Sequence, residues 1–66
     1  MNHFEVRYAT GGWKVIYPDN LGIEPSTHRT QREAIGVARH QRAVLYRGEG
    51  RITVFKKNGR ISRLSC

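Results

Sequence analysis

The chain has 66 residues, and its twelve Lys and Arg against five Asp and Glu give a net charge of +7 at pH 7. That length holds one small domain, residues 1–66, and excludes large enzyme architectures such as barrels and doubly wound sheets. With 38% hydrophobic residues and two prolines, the composition is that of a globular chain with a modest stability margin, not a disordered one.

The first segment, Phe4-Glu5-Val6-Arg7-Tyr8, alternates apolar and charged residues and predicts a half-buried strand. Phe4, Val6 and Tyr8 are expected to face the core, with Glu5 and Arg7 toward water. Thr10-Gly11-Gly12 supplies the positive φ angles of a tight hairpin turn. The return strand is Trp13-Lys14-Val15-Ile16-Tyr17, with Trp13, Val15 and Tyr17 on one face and Lys14 and Ile16 on the other. Pro18 ends it, because proline cannot donate to a ladder. Residues 19–25 read as a loop. Ser26-Thr27-His28-Arg29 is either a brief third strand or an extended approach to a helix.

Thr30-Gln31-Arg32-Glu33 matches a capping box, in which the Thr hydroxyl accepts from the N3 amide and the N3 Glu reaches back. The helix it opens runs to residues 44–46. Gln31, Ala34, Ile35, Ala38 and Leu45 fall in one arc and form the expected buried stripe. Arg32, Gly36, Arg39, His40 and Ala43 lie on the far side, and Arg42 sits beside the stripe, placed to snorkel. Gly48-Glu49-Gly50 breaks the helix. Arg51-Ile52-Thr53-Val54-Phe55 is a strand by its β-branched content, Asn58-Gly59 is a hairpin turn, and Arg60-Ile61-Ser62-Arg63-Leu64 returns. The predicted fold class is therefore α+β. Two β-hairpins flank one α-helix, ββ(β)αββ, in an antiparallel sheet with the helix packed on one face.

Three stretches, Gly11-Gly12-Trp13-Lys14-Val15, Thr30 to Ile35 continuing to Ala38-Arg39, and Val54 with Asn58-Gly59-Arg60-Ile61, together resemble a family of short bacterial and phage proteins. That family is classed as domain of unknown function 2188. The resemblance covers nearly the whole chain in order, and it implies a core role for Trp13 and a capped helix at Glu33-Ala34-Ile35. The chain departs from the pattern over residues 23–29, which are longer and less apolar, and over 39–51, which carry extra residues. The resemblance implies a fold and no reaction.

Catalysis needs acid, base or nucleophile converging in a pocket. His3, His28 and His40 stand at no metal-ligand spacing and read as surface histidines. Glu33 serves as a helix cap, while Asp19, Glu24 and Glu49 fall in loops. Gly48-Glu49-Gly50 follows a helix instead of opening one and lacks the Gly-Lys-Ser/Thr ending of a phosphate loop. Cys66 is the single cysteine, so no internal disulfide forms, and it reads as an incidental terminal thiol in a reducing compartment. No enzyme, catalytic residue, metal site, cofactor or small-molecule substrate is expected. The absence of a leader pattern and of any long apolar run leads us to expect a soluble, cytoplasmic protein without membrane contact.

The excess of arginine points instead to a polyanion. Nine of the twelve cations are Arg, whose planar fork suits phosphate. Candidate nucleic-acid-binding residues are Arg29, Arg32, Arg39, Lys56, Lys57, Arg60 and Arg63, contacting DNA or RNA mainly through phosphates. Arg7 and Lys14 are expected near one another across the first hairpin. Tyr46 and Phe55 are expected to be exposed and free to stack on a base or a neighbour. Against this stands the spread of the cations around the domain, which is also an ordinary route to solubility. The alternative is a protein-interaction or self-association module, a homodimer among them, using sheet edges and off-face apolar residues such as Ile16 and Phe55.

Overall fold

The computed structural model describes residues 2–18 and 21–65, the last three of these by their backbone. The elements in chain order are β1 (His3–Ala9), β2 (Gly12–Ile16), β3 (Ser26–His28), α1 (Gln31–Tyr46), β4 (Arg51–Phe55) and β5 (Ile61–Ser65). The loop expected over residues 19–25 is partly outside the described residues, as are Asp19, the Cys66 thiol and the side chain of Arg63.

The chain is α+β, with one helix against a five-stranded sheet of order β3-β2-β1-β4-β5. The expected antiparallel sheet and hairpin count are corrected, and the alternative left open at residues 26–29 is decided. First, the sheet is mixed: β1 pairs antiparallel with β2 but parallel with β4, with Val6 opposite Val54. Alternation fixes which side of a strand is buried and says nothing of its neighbours. Here α1 carries the chain back across the sheet, so β4 enters beside β1 in the same direction. Second, Ser26–His28 is a strand, pairing Trp13 with His28 and Val15 with Ser26. The first hairpin is thus part of a three-stranded meander, and only β4–β5 forms a separate hairpin.

The core lies between the helix and one face of the sheet. Phe4 and Val6 of β1, Trp13 and Val15 of β2 and Ile52 and Val54 of β4 meet Ala34, Ile35 and Ala38 of α1, with Tyr17 alongside. These are the inward positions that strand alternation and helical spacing select. Four aromatic and aliphatic expectations, for Tyr8, Leu45, Tyr46 and Phe55, are overturned. Tyr8 is 44% exposed, because it sits near the end of β1 where the last strand residues leave the core, and it packs edge-on against Trp13 instead. Leu45 is exposed, and the last helical turn instead turns Tyr46 inward, edge-on to Phe4 at 5.9 Å between ring centres. Phe55 is half-buried, with a guanidinium over its ring.

The helix starts as its sequence dictates. Thr30 has an extended backbone, and its hydroxyl accepts from the Glu33 amide at 3.1 Å. The reciprocal half of the capping box is replaced: the Glu33 carboxylate stands 3.7 Å from His28 Nδ1. At the other end Arg47 adopts the left-handed conformation, φ 54°, and its amide donates to Arg42 O. Arg42, expected to snorkel to water, is half-buried instead: its guanidinium donates to the carbonyl of Gly50 at 3.4 Å and its Nε is buried. Gly50 itself is required by a close approach, since a Cβ there would lie 2.5 Å from the carbonyl oxygen of Asn2.

Candidate nucleic-acid interface

The parallel β1–β4 pairing decides where the cations meet. β1, β3 and β4 all run toward one end of the sheet, and β2 and β5 start from it. That end therefore holds the β1–β2 turn, the exit from β3, the start of α1 and the β4–β5 turn. Gln31 ties the first helical turn to it by donating to the carbonyl of Phe55 at 3.3 Å. Arg29 and Arg32 flank the helix start, and Lys56, Lys57 and Arg60 build the β4–β5 turn, so five of the seven candidate residues share one end. All five are exposed.

The turn is held by its backbone. Lys56 N donates to Arg60 O at 2.7 Å, Gly59 N donates to Lys56 O at 2.9 Å, and the Asn58 carboxamide oxygen accepts from Arg60 N at 3.0 Å. Gly59, at φ 87°, supplies the left-handed residue that the turn needs. Lys57 lies with Nζ 5.1 Å from the centre of the Tyr8 ring, a cation–π contact that joins the turn to the end of β1. Tyr8 in turn meets Trp13 at 5.3 Å and 70°. The exposed Tyr8 is thus a link between the two turns.

The charge around this end is one-sided. Among the described residues its one carboxylate is Glu33, facing His28. Glu24 and Glu49 fall on connections at the opposite end of the sheet. The amides of the helix start add a partial positive charge. Arg39 stands two turns further along α1, where it borders an open depression of about 380 Å³ together with Gln31, Arg32, Ile35 and Gly36. Arg63 pairs with Val54 by its backbone, and its side chain is outside the described residues. The cations are spread in that Arg42, Arg47 and Arg51 lie toward the other end, yet the candidate set is concentrated at one.

The sheet face away from the helix is a second polar surface. Arg7 and Lys14 are register partners across β1 and β2, as expected. Arg7 Cζ sits 3.9 Å from the centre of the Phe55 ring, and its Nε donates to Glu5 Oε1 at 2.7 Å. His3 Nε2 and the Thr53 hydroxyl are 2.6 Å apart, which explains how Thr53, buried at 4% exposure, satisfies its hydroxyl on this side. Arg7 and Lys14 are not among the seven candidate residues. The signal that could have found them is the alternation that puts Arg7 and Lys14 on the side away from the core.

Among the described residues no three His, Cys, Asp or Glu side chains are grouped to hold a metal ion, and no helix is long and apolar enough to cross a membrane. No family model, no curated protein and no solved structure matches the chain.

Proposed function

We propose that this chain is a non-catalytic domain that binds nucleic acid mainly through phosphate contacts, made at the end of the sheet where the helix begins. The observation that carries this reading is the gathering of Arg29, Arg32, Lys56, Lys57 and Arg60 around a single described carboxylate, Glu33. Exposed guanidinium and ammonium groups beside a helix start offer phosphate both charge and directed N–H donors. In this reading Arg39 extends the contact along α1. The protein acts in the cytoplasm, and the chain belongs with the short bacterial and phage proteins it resembles. The test is titration of the labelled protein with duplex DNA, single-stranded DNA and duplex RNA at low and moderate salt, followed through the backbone amides. Shifts clustered at residues 29–32 and 56–60 that weaken steeply with salt are expected. No shift with any of the three at low salt removes the reading.

A second reading, self-association, is favoured by a different observation. Val44 and Leu45, adjacent at the end of α1, are 63% and 40% exposed, and β3 and β5 are the outer strands of an open sheet. Outer strands and exposed apolar residues are the ordinary substrates of dimer formation. Sedimentation across a concentration series separates the two: a monomer at every concentration rules out the dimer.

A further inference from the structure

The open face of the sheet carries a row of side chains that the phosphate reading leaves unused. Strand register lines up Thr27 of β3, Lys14 of β2, Arg7 of β1, Phe55 of β4 and Ile61 of β5 across all five strands. The step from Arg7 to Phe55 is closed by the 3.9 Å contact of guanidinium and ring. At about 4.8 Å per strand spacing this row is about 19 Å long, a few nucleotides of extended chain. At its centre Arg7 lies over Phe55, and the Arg7 side chain is still 45% exposed. A guanidinium at stacking distance from a ring turns its other planar face to solvent. Glu5 fixes the orientation of Arg7 by accepting from its Nε, and this ion pair neutralises the one described carboxylate of this face. Lys14 on one side and Arg51 toward the far end add cations with no further carboxylate opposite them among the described residues.

We propose that this face binds single-stranded nucleic acid, with one base stacked on the Arg7–Phe55 pair and a neighbouring phosphate met by Lys14. This rests on the phosphate reading and names its ligand class. A planar cation backed by an aromatic ring is a platform for any unpaired base. Bases of a duplex are already stacked and present only phosphates and groove edges, so a duplex engages the turn and helix start alone. The charge of the face excess to Glu5 is the complement of a phosphodiester backbone, and its breadth and planarity suit an extended strand.

The experiment uses the full chain labelled with nitrogen-15, a short oligothymidylate and a duplex DNA of equal length. With the oligothymidylate the amides of Arg7, Lys14, Thr53 and Phe55 and the Arg7 Nε–H signal are expected to shift, in addition to residues 29–32 and 56–60. Phe55→Leu weakens oligothymidylate binding about tenfold while duplex binding stays as it was. Arg7→Gln, at a solvent-facing position, weakens it similarly and serves as the second variant should Phe55→Leu lose the native amide dispersion. If oligothymidylate shifts stay confined to residues 29–32 and 56–60, or if Arg7→Gln binds it as the wild type does, the stacking platform is overturned and the phosphate reading stands. If no nucleic acid shifts any amide at low salt, both fall.

Discussion

Gly12 and His28 approach each other more closely than any side chain at position 12 permits. A Cβ on Gly12 would stand 2.4 Å from the carbonyl oxygen of His28, and Gly12 already holds a φ of 156°. The short strand β3 lies against β2 only because position 12 is bare. Gly12→Ala therefore pushes β3 off and strains the turn, at a cost of about 1–3 kcal/mol. Urea unfolding followed by far-ultraviolet circular dichroism reads the loss as a lower midpoint.

Gly36 is the opposite case. It lies on the exposed side of α1, with no heavy atom within 4 Å of the position a Cβ would take, and its φ is not positive. Gly36→Ala is expected to stabilise the domain by about 0.5–1 kcal/mol, through helix propensity and a less flexible unfolded chain. Thermal unfolding should shift upward by a few degrees. An unchanged or lower midpoint shows that the depression beside Gly36 does not tolerate the methyl.

Arg47 ends the helix in a conformation that favours glycine, φ 54°. A left-handed residue with a Cβ costs about 1–2 kcal/mol relative to glycine. Arg47→Gly should therefore stabilise the helix end despite removing a cation, by about 1 kcal/mol. The same unfolding measurement checks it, and a loss of stability assigns the Arg47 side chain an interaction that outweighs the strain.

The β4–β5 turn is where charge and fold separate most cleanly. Lys56, Lys57 and Arg60 are exposed, and the turn geometry rests on backbone and on Asn58. Replacing the three by Gln leaves unfolding nearly unchanged and lowers the salt dependence of duplex DNA binding. Every phosphate that the variant no longer touches reduces the slope of log K against log salt by about 0.9, so the number of phosphates held by the turn is read directly. An unchanged slope excludes the turn from phosphate binding.

Much of the fold was legible because it is local. Phe4, Val6, Trp13, Val15, Ile52 and Val54 are buried as alternation requires, Thr30 caps the helix as its hydroxyl predicts, and Gly11 and Gly59 hold the positive φ of their turns. What escaped the sequence is which strands are neighbours. The parallel pairing of Val6 with Val54 joins segments nearly fifty positions apart, and no local pattern encodes it. Tyr8 obeys the right periodicity, but the opposing layer ends before it reaches it, while at Leu45 the last helical turn gives the inward position to Tyr46. The candidate site was legible as a set of residue types and not as a place. Arg29 and Lys57 come to the same end of the fold only through the direction of β4, and Arg7 finds Phe55 only through the same register.

That one seam gives the domain an order of events. The meander over residues 3–28 and the hairpin over 51–65 are each built from short-range pairings, whereas the β1–β4 ladder has to close a long loop and belongs to the slow, topology-limited part of folding. The cationic end draws Arg29 and Arg32 from one side of that seam and Lys56, Lys57 and Arg60 from the other. Either half made alone would carry half of the cationic end, and a polyanion that bridges both would act as a clasp, raising the ratio of folded to unfolded chains by a factor of one plus the ratio of free polyanion concentration to Kd.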